Sequence, residues 1–227
     1  MKLLLTSDGI TNKSIAKALF DLVGKKPEET TIAMIPTAMN VSPADKKWFA
    51  EALYQIGQLD LKLLDIVDIS ALPKEIWLSR LEAADVLFFN GGNSFHLMHS
   101  LKESGLISIL PELLKTRVYA GLSAGSTVTA PDLASASKSR KDFYEKNFGY
   151  NSEDALNFAD FYIKSHLNAP YFPERTKENL LSKAKNFNKP VYALDYNSAL
   201  KVIDGNIEVI SEGEYHIFNQ ELNAKKS

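Results

Sequence analysis

Short, almost continuously apolar segments alternate with longer amphipathic segments along the first half of the chain. Five apolar runs are predicted to be buried strands, at Lys2 to Ser7, Thr31 to Ala38, Leu61 to Val67, Asp85 to Gly92 and Arg117 to Ser123. Helical periodicity is predicted between them, over Asn12 to Val23, Ala44 to Ile56, Trp77 to Ala83, and from Ser94 to Ser100 continuing toward Leu114. Continuously apolar strands separated by helices are typical of a parallel sheet that is covered on both faces. The pattern therefore predicts an α/β sandwich.

The pattern changes in the C-terminal part of the chain. Residues Phe161 to Leu167 and Val191 to Ser211 are predicted to form further strands, with a hairpin turn at Asp204 and Gly205. An antiparallel sheet edge is therefore expected near the C-terminus. Residues 134–157 are polar and poorly periodic, and they are interpreted as a surface loop near the site that could act as a lid. No repeat or linker interrupts the chain, so residues 1–227 are expected to form a single domain.

Composition narrows the classes of function. The 227 residues carry a formal net charge of −2, and the basic residues are spread along the chain, so neither a nucleic acid nor a membrane is an expected partner. The absence of cysteine excludes disulfides, thiolate metal sites and a cysteine nucleophile. The four histidines show no metal-binding spacing, and no metal or other cofactor is expected. The apolar run at the N-terminus is too short for a signal peptide, which favours a cytoplasmic protein.

A serine lies at the centre of the segment YAGLSAGST, residues 119–127. Gly121, Ser123 and Gly125 fit the G-x-S-x-G spacing, in which a sharp strand-to-helix turn exposes a nucleophilic serine. Side chains at the two glycine positions would collide with the neighbouring strand or helix. An ordinary glycine-rich connection would fit this pattern equally well, so the surrounding residues must decide.

Two further groups of residues follow predicted strands. In doubly wound sheets ligands bind at the carboxyl ends of the strands, where Gly91, Gly92 and Asn93 follow the fourth strand. Paired glycines let backbone amides approach a ligand oxygen, as an oxyanion hole or phosphate site requires, although a tight turn would also need them. A serine nucleophile also needs a base. His166 ends a predicted strand and is the best candidate.

The remaining histidines have other interpretations. His96 and His99 fall in the helix after the glycine pair and are expected to pack or to lie on the surface, and His216 is expected to be structural or solvated. In an α/β-hydrolase esterase, however, a histidine near the C-terminus would be the base, which would be His216. A catalytically degenerate protein that binds a small ligand is the second alternative.

The segments FFNGGNSFHLMHSL, YAGLSAGS and EDALNFADFYIKSHL resemble the peptidase E family of serine peptidases, family S51, whose relatives include the cyanophycinases. The resemblance covers nearly the whole chain. It implies a three-layer, flavodoxin-like fold similar to class I glutamine amidotransferases, and hydrolysis of small peptides in a dipeptidase-like reaction. It also implies that Ser123 is the nucleophile and His166 the base, with the amides of Gly92 and Ala124 as the oxyanion hole and Asn93 near the substrate. The expected assembly is a monomer or homodimer.

The third member of the triad departs from the family pattern. Tyr196 stands where relatives carry an acidic residue, so the carboxylate is assigned to the preceding Asp195, with Asp132 as the next candidate and a dyad as the remaining possibility. The family's known dipeptidases favour an N-terminal aspartate, which calls for a cation in the pocket. Arg175 is the nearest candidate, and a solvated arginine at a helix start is the alternative.

Overall fold

The computed structural model describes residues 1–220. Its main sheet has seven strands in the order β3-β2-β4-β5-β1-β8-β9. The first five strands of this order are mutually parallel, and β8 and β9 add an antiparallel edge next to β1. The bounds of these strands are β1 Lys2–Thr6, β2 Thr31–Ile35, β3 Leu63–Ile66, β4 Val86–Phe89, β5 Val118–Leu122, β8 Ser198–Ile203 and β9 Asn206–Ser211. The predicted α/β sandwich with an antiparallel C-terminal edge is confirmed.

Helices cover both faces of the sheet because alternate residues of each buried strand point to opposite sides. On one face, Leu4, Met34 and Phe88 pack against α1 and α2; on the other, Leu5, Ile35 and Phe89 pack against α3, α4 and α5. The two cores make three layers. The helices are α1 Lys13–Val23, α2 Lys47–Gly57, α3 Lys74–Ala83, α4 Ser94–Glu103, α5 Leu106–Leu113, α6 Ala124–Thr127, α7 Lys138–Phe148 and α8 Lys177–Ala184.

A second, three-stranded sheet lies beside the first and was not predicted from the sequence. It has the order β10-β7-β6, with β6 Tyr162–Lys164, β7 Val191–Leu194 and β10 Tyr215–Phe218. Tyr162, Val191 and Phe218 share a small core with α8. The predicted hairpin at Asp204 and Gly205 is present: both residues have positive φ, and β8 pairs with β9 on either side of them.

Two local predictions need correction. The helix expected from Ser94 toward Leu114 is two helices, because Gly105 at φ 74° breaks it before α5 begins. Residues 134–157 are not simply a loop, since they contain the eleven-residue helix α7. Tyr144 is the buried residue of α7 and is only 2% exposed. Because the other residues of this helix are not buried, the segment shows little hydrophobic periodicity. Within residues 1–220, no helix is long and apolar enough to span a membrane.

Candidate active site

Ser123 lies in the sharp turn between β5 and α6. Its backbone adopts φ 47° and ψ −96°, a conformation that is strained for a residue with a side chain. Strain of this kind persists only where the surrounding structure enforces it. The Ser123 amide donates to the Thr6 carbonyl at 3.1 Å, and its carbonyl accepts from the Thr127 amide at 2.8 Å.

The glycines on either side of Ser123 are required by packing. A Cβ atom at Gly125 would lie 2.0 Å from the carbonyl oxygen of Phe89 on β4, and one at Gly121 would lie 2.6 Å from the amide nitrogen of Ser126. These are the collisions with the neighbouring strand and helix that the sequence predicts. The G-x-S-x-G segment therefore forms the sharp strand-to-helix turn that its spacing predicts.

A chain of hydrogen bonds joins Ser123 to a histidine and a carboxylate. Ser123 Oγ lies 3.0 Å from His166 Nε2, and His166 Nδ1 lies 3.0 Å from Asp8 Oδ2. The side chains of His166 and Asp8 are only 11% and 14% exposed, so the pair is largely shielded from water. A carboxylate at Nδ1 fixes the tautomer that leaves Nε2 free to accept the serine proton. A serine hydroxyl, a histidine and a carboxylate that are hydrogen-bonded in this order are the groups that acyl transfer by a serine nucleophile requires.

Neighbouring groups fix the histidine ring. The His166 amide donates to Ser7 Oγ at 2.9 Å, and Ser7 Oγ donates in turn to Asp8 Oδ2 at 2.9 Å. The Phe172 ring stacks on the imidazole with centroids 4.8 Å apart. His166 itself has φ 66°, so its backbone, like that of Ser123, is held in a conformation that side chains disfavour.

The assignment of Asp195 as the partner of His166 is wrong in this structure. Its Oδ1 accepts from the Asn197 amide at 3.0 Å and from Ser198 Oγ at 2.5 Å, and its Oδ2 accepts from the Glu214 amide at 2.6 Å. Asp195 thus closes the turn between β7 and β8, whereas the second ring nitrogen of His166 faces Asp8. The structure replaces Asp195 with Asp8 at this position.

The second candidate, Asp132, does not contact His166 either. Its Oδ1 accepts from the Ala134 amide at 2.8 Å, and its Oδ2 accepts from the Tyr162 hydroxyl at 2.9 Å. These bonds shape the chain that enters the segment carrying α7. Asp132 is therefore a structural residue here.

The other histidines lie apart from Ser123. His216 Nε2 is 2.8 Å from Glu214 Oε1 on the second sheet, so it does not occupy the position that the esterase alternative requires. The Nδ1 atoms of His96 and His99 lie 3.0 and 2.9 Å from the hydroxyl of Tyr144, which joins α4 to α7. The packing role expected for His96 and His99 agrees with these contacts.

The glycine loop after β4 lies beside the elbow. Gly92 has φ 141°, and a Cβ there would lie 2.0 Å from the carbonyl oxygen of Ala38, so only glycine fits. Ala124 begins α6, and the first amides of a helix have no acceptor within it. Asn93 lines the cavity beside Ser123 and also caps α4: its Oδ1 accepts from Phe95 N at 2.9 Å, and its Nδ2 donates to the Arg140 carbonyl at 3.2 Å.

A small cationic cavity opens on one side of Ser123. Arg175 lines it, with Nη1 donating to the Ser165 carbonyl at 2.7 Å and Nε 3.9 Å from Glu174 Oε1. Arg140 lines it as well and donates to the Gly92 carbonyl. Burial lowers the pKa of each guanidinium, and the charge of Arg175 lowers the pKa of Arg140 further. The hydroxyls of Ser135 and Ser165, which also line this cavity, are buried and have no hydrogen-bond partner among the described residues.

A larger cavity of about 500 Å³ is also lined by Ser123. It contains His166 and Asp8, the glycine loop at Gly91 and Gly92, and the α7 residues Ser139, Arg140 and Phe143. Residues of the segment 134–157 line both cavities. This segment therefore lies near the candidate site, as expected from the sequence.

Two functional candidates were missed from the sequence. Asp8 follows the first apolar strand in the segment TSDG, so the rule that ligands gather after strand ends would have included it. Arg140 lies in a polar segment without clear periodicity, and no sequence signal distinguishes it from the lysines around it.

Comparisons with known proteins identify the family. Residues 3–210 match the model of peptidase family S51. An uncharacterized peptidase of Listeria monocytogenes is 30% identical over 149 residues, which cover 65% of this chain and 71% of the relative. Peptidase E of Shewanella putrefaciens is 27% identical over 190 residues, covering 81% of this chain and 75% of the relative.

Solved structures show the same fold. A crystal structure of a protein assigned as peptidase E from Listeria monocytogenes superposes with a TM-score of 0.76 at 24% identity, covering 93% of this chain and 98% of that one. A peptidase from an acI-B1 actinobacterium gives a TM-score of 0.66 at 19% identity, covering 95% and 89%. Because the family model spans nearly the whole described fold, the chain belongs to peptidase family S51 and is a peptidase.

Proposed function

We propose that this chain is a serine peptidase that hydrolyses short peptides, with Ser123 as nucleophile, His166 as general base and Asp8 as the carboxylate that orients His166. The observation that carries the proposal is the unbroken pair of 3.0 Å contacts from Ser123 Oγ through His166 to Asp8 Oδ2. Nucleophile, base and orienting group are thus aligned in one line of hydrogen bonds.

In the reaction, Ser123 Oγ attacks the scissile carbonyl while His166 Nε2 takes the hydroxyl proton. The negative charge that develops on the carbonyl oxygen is stabilised by the amides of Gly92 and Ala124, and one such donor is worth about 3 to 4 kcal/mol. His166 then protonates the leaving amine, the peptide bond breaks, and an acyl ester remains on Ser123. Water activated by His166 hydrolyses this ester and regenerates the serine.

The small cationic cavity supports an acidic residue on the acyl side, as in a dipeptidase that removes an N-terminal aspartate. Arg140 and Arg175 place two positive charges beside Ser123, and the hydroxyls of Ser135 and Ser165 add two unused hydrogen-bonding groups. A carboxylate at the mouth of this cavity would form charge-assisted hydrogen bonds and offset the cost of burying both guanidinium groups.

The test combines covalent labelling with turnover. A fluorophosphonate should label Ser123, and Ser123→Ala should lose both labelling and hydrolysis of Asp-containing dipeptides while it retains the native circular dichroism spectrum. Arg175→Met should raise KM for Asp-Leu by about tenfold or more, because a buried charge pair is lost, and should change Ala-Leu hydrolysis much less.

Two outcomes would contradict the proposal. Full peptidase activity in His166→Ala with loss in His216→Ala would restore the esterase-type assignment. Absence of both labelling and turnover in the wild-type protein would favour a degenerate protein that binds a small ligand.

A further inference from the structure

The larger cavity beside Ser123 lies on the side where the leaving amine must be. His166 delivers its proton to the leaving nitrogen, so the residue that departs has to sit next to the imidazole. His166 lines the larger cavity and does not line the small cationic one. The leaving residue is therefore expected in the larger cavity, which contacts His166.

The surface of the larger cavity is mainly apolar, and its aromatic side chains come from separate segments of the chain. Trp48 comes from α2 and packs close to the glycine loop: a Cβ built on Gly91 would lie 3.3 Å from Trp48 Cζ3. Phe143 comes from α7, and Tyr171 and Phe172 come from the loop after His166. Trp48 is 38% exposed and Tyr171 is 63% exposed, so part of each ring stays accessible although Trp48 contacts Phe49 and Tyr171 contacts Phe172.

The charged groups around this cavity already have partners. Asp8 is bound to His166, and Asp45 Oδ2 lies 3.4 Å from Lys47 Nζ at the exposed rim. Lys46 Nζ donates to the Ser42 carbonyl at 3.0 Å, and Arg140 donates to the Gly92 carbonyl. An apolar side chain in this cavity would bury accessible aromatic surface without breaking any of these contacts.

We propose that the larger cavity is the subsite for the leaving residue and that it selects a large apolar side chain, above all an aromatic one. This inference rests on the proposed function, and it narrows the substrate class to dipeptides with an acidic first residue and an aromatic or large aliphatic second residue. The volume of the larger cavity, about 500 Å³, lies within the usual range for pockets that enclose a small ligand.

The first experiment measures kcat/KM for dipeptides that share an N-terminal aspartate. Asp-Phe should exceed Asp-Ala by about tenfold or more, because burial of the ring is available only to the first substrate. Asp-Leu should fall between them, and Asp-Glu and Asp-Lys should not exceed Asp-Ala. Equal values for Asp-Phe and Asp-Ala, or a preference for a charged second residue, would overturn the inference while leaving the proposed function intact.

The second experiment tests whether the larger cavity causes the preference for an aromatic second residue. Trp48→Ala and Phe143→Ala should each reduce the ratio of Asp-Phe to Asp-Ala hydrolysis by about threefold or more. The matched control is Tyr54→Ala, which removes an aromatic ring that is 63% exposed on the same helix as Trp48 but outside the cavity, and it should leave the ratio unchanged. An unchanged ratio in both cavity variants would overturn the assignment.

Binding gives a readout that does not depend on turnover. Calorimetry on the Ser123→Ala variant should show tighter binding of Asp-Phe than of Asp-Ala by a similar factor. Equal affinities would count against the subsite. Hydrolysis of none of the dipeptides by the wild-type protein would overturn the proposed function and this inference together.

Discussion

Asp8 lies beside His166 at the position where the sequence predicted Asp195. Asp8→Asn should preserve the fold yet lower kcat on the order of 10⁴-fold, the loss seen when the corresponding aspartate of a serine protease triad is changed, because an amide favours the wrong imidazole tautomer. Steady-state kinetics on an Asp-containing dipeptide measures the effect.

Asp195→Asn is the matched control for Asp8→Asn. It should lower the free energy of unfolding, since it disturbs the bonds to Asn197, Ser198 and Glu214, while kcat changes little. If Asp195→Asn abolishes turnover in a folded protein and Asp8→Asn does not, the hydrogen-bond pattern around His166 has been assigned to the wrong carboxylate.

Lys164 gives the protein an unusual alkaline pH dependence. Burial, and then the positive charges of Arg175 and Lys183, lower the pKa of Lys164 to about 8. Between this pKa and the ordinary lysine value the unfolded chain binds more protons than the folded one, so this group makes the folded state more stable as pH rises. Relative to Lys164→Met, the wild-type protein should gain about 2 kcal/mol between about pH 8 and pH 10.

Urea denaturation of both proteins across this pH range measures the difference. A difference in the free energy of unfolding that stays constant with pH would show that Lys164 titrates normally in the folded protein.

At the scale of elements, the contact between α4 and α7 connects the core to the site. The Tyr144 hydroxyl lies between His96 and His99 of α4, while Arg140 and Phe143 on the same α7 helix line the cavities. Tyr144→Phe should lower the free energy of unfolding by about 1 kcal/mol, because the part-buried imidazole nitrogens of His96 and His99 lose their hydrogen-bond partner. It should also raise KM for Asp-containing dipeptides, since α7 carries Arg140.

The control for Tyr144→Phe is Tyr54→Phe on the exposed surface of α2, which should change neither quantity. A Tyr144→Phe protein that is less stable but has an unchanged KM would mean that α7 holds its position through other contacts.

The same elements show why part of the site could be predicted from the sequence. The elbow is local: Gly121, Ser123 and Gly125 meet the steric demands of one turn within five residues, and these demands leave a recognisable spacing. The hairpin at Asp204 and Gly205 is local in the same way. His166 could be selected because it ends a strand, although its pairing with Ser123 depends on packing between the two sheets.

Asp8 and Arg140 depend on the arrangement of the whole molecule. Asp8 reaches His166 because β1 lies in the middle of the main sheet beside β5, and strand order is not encoded in the periodicity of any one strand. Arg140 reaches the cavities because Tyr144 anchors α7 over α4. The second sheet was missed for the same reason, since β7 pairs with β6 and β10 rather than with its neighbour in sequence, β8.

The central position of β1 has a consequence for how activity appears during folding. Both neighbours of β1 come from distant parts of the chain, residues 118–122 in β5 and residues 198–203 in β8. Pairings over such separations form late, because the loops between them lose much entropy on closing. Asp8, Ser123 and His166 therefore come together only after distant segments have paired, so we expect peptidase activity during refolding to appear no earlier than the pairing of β1 with β5.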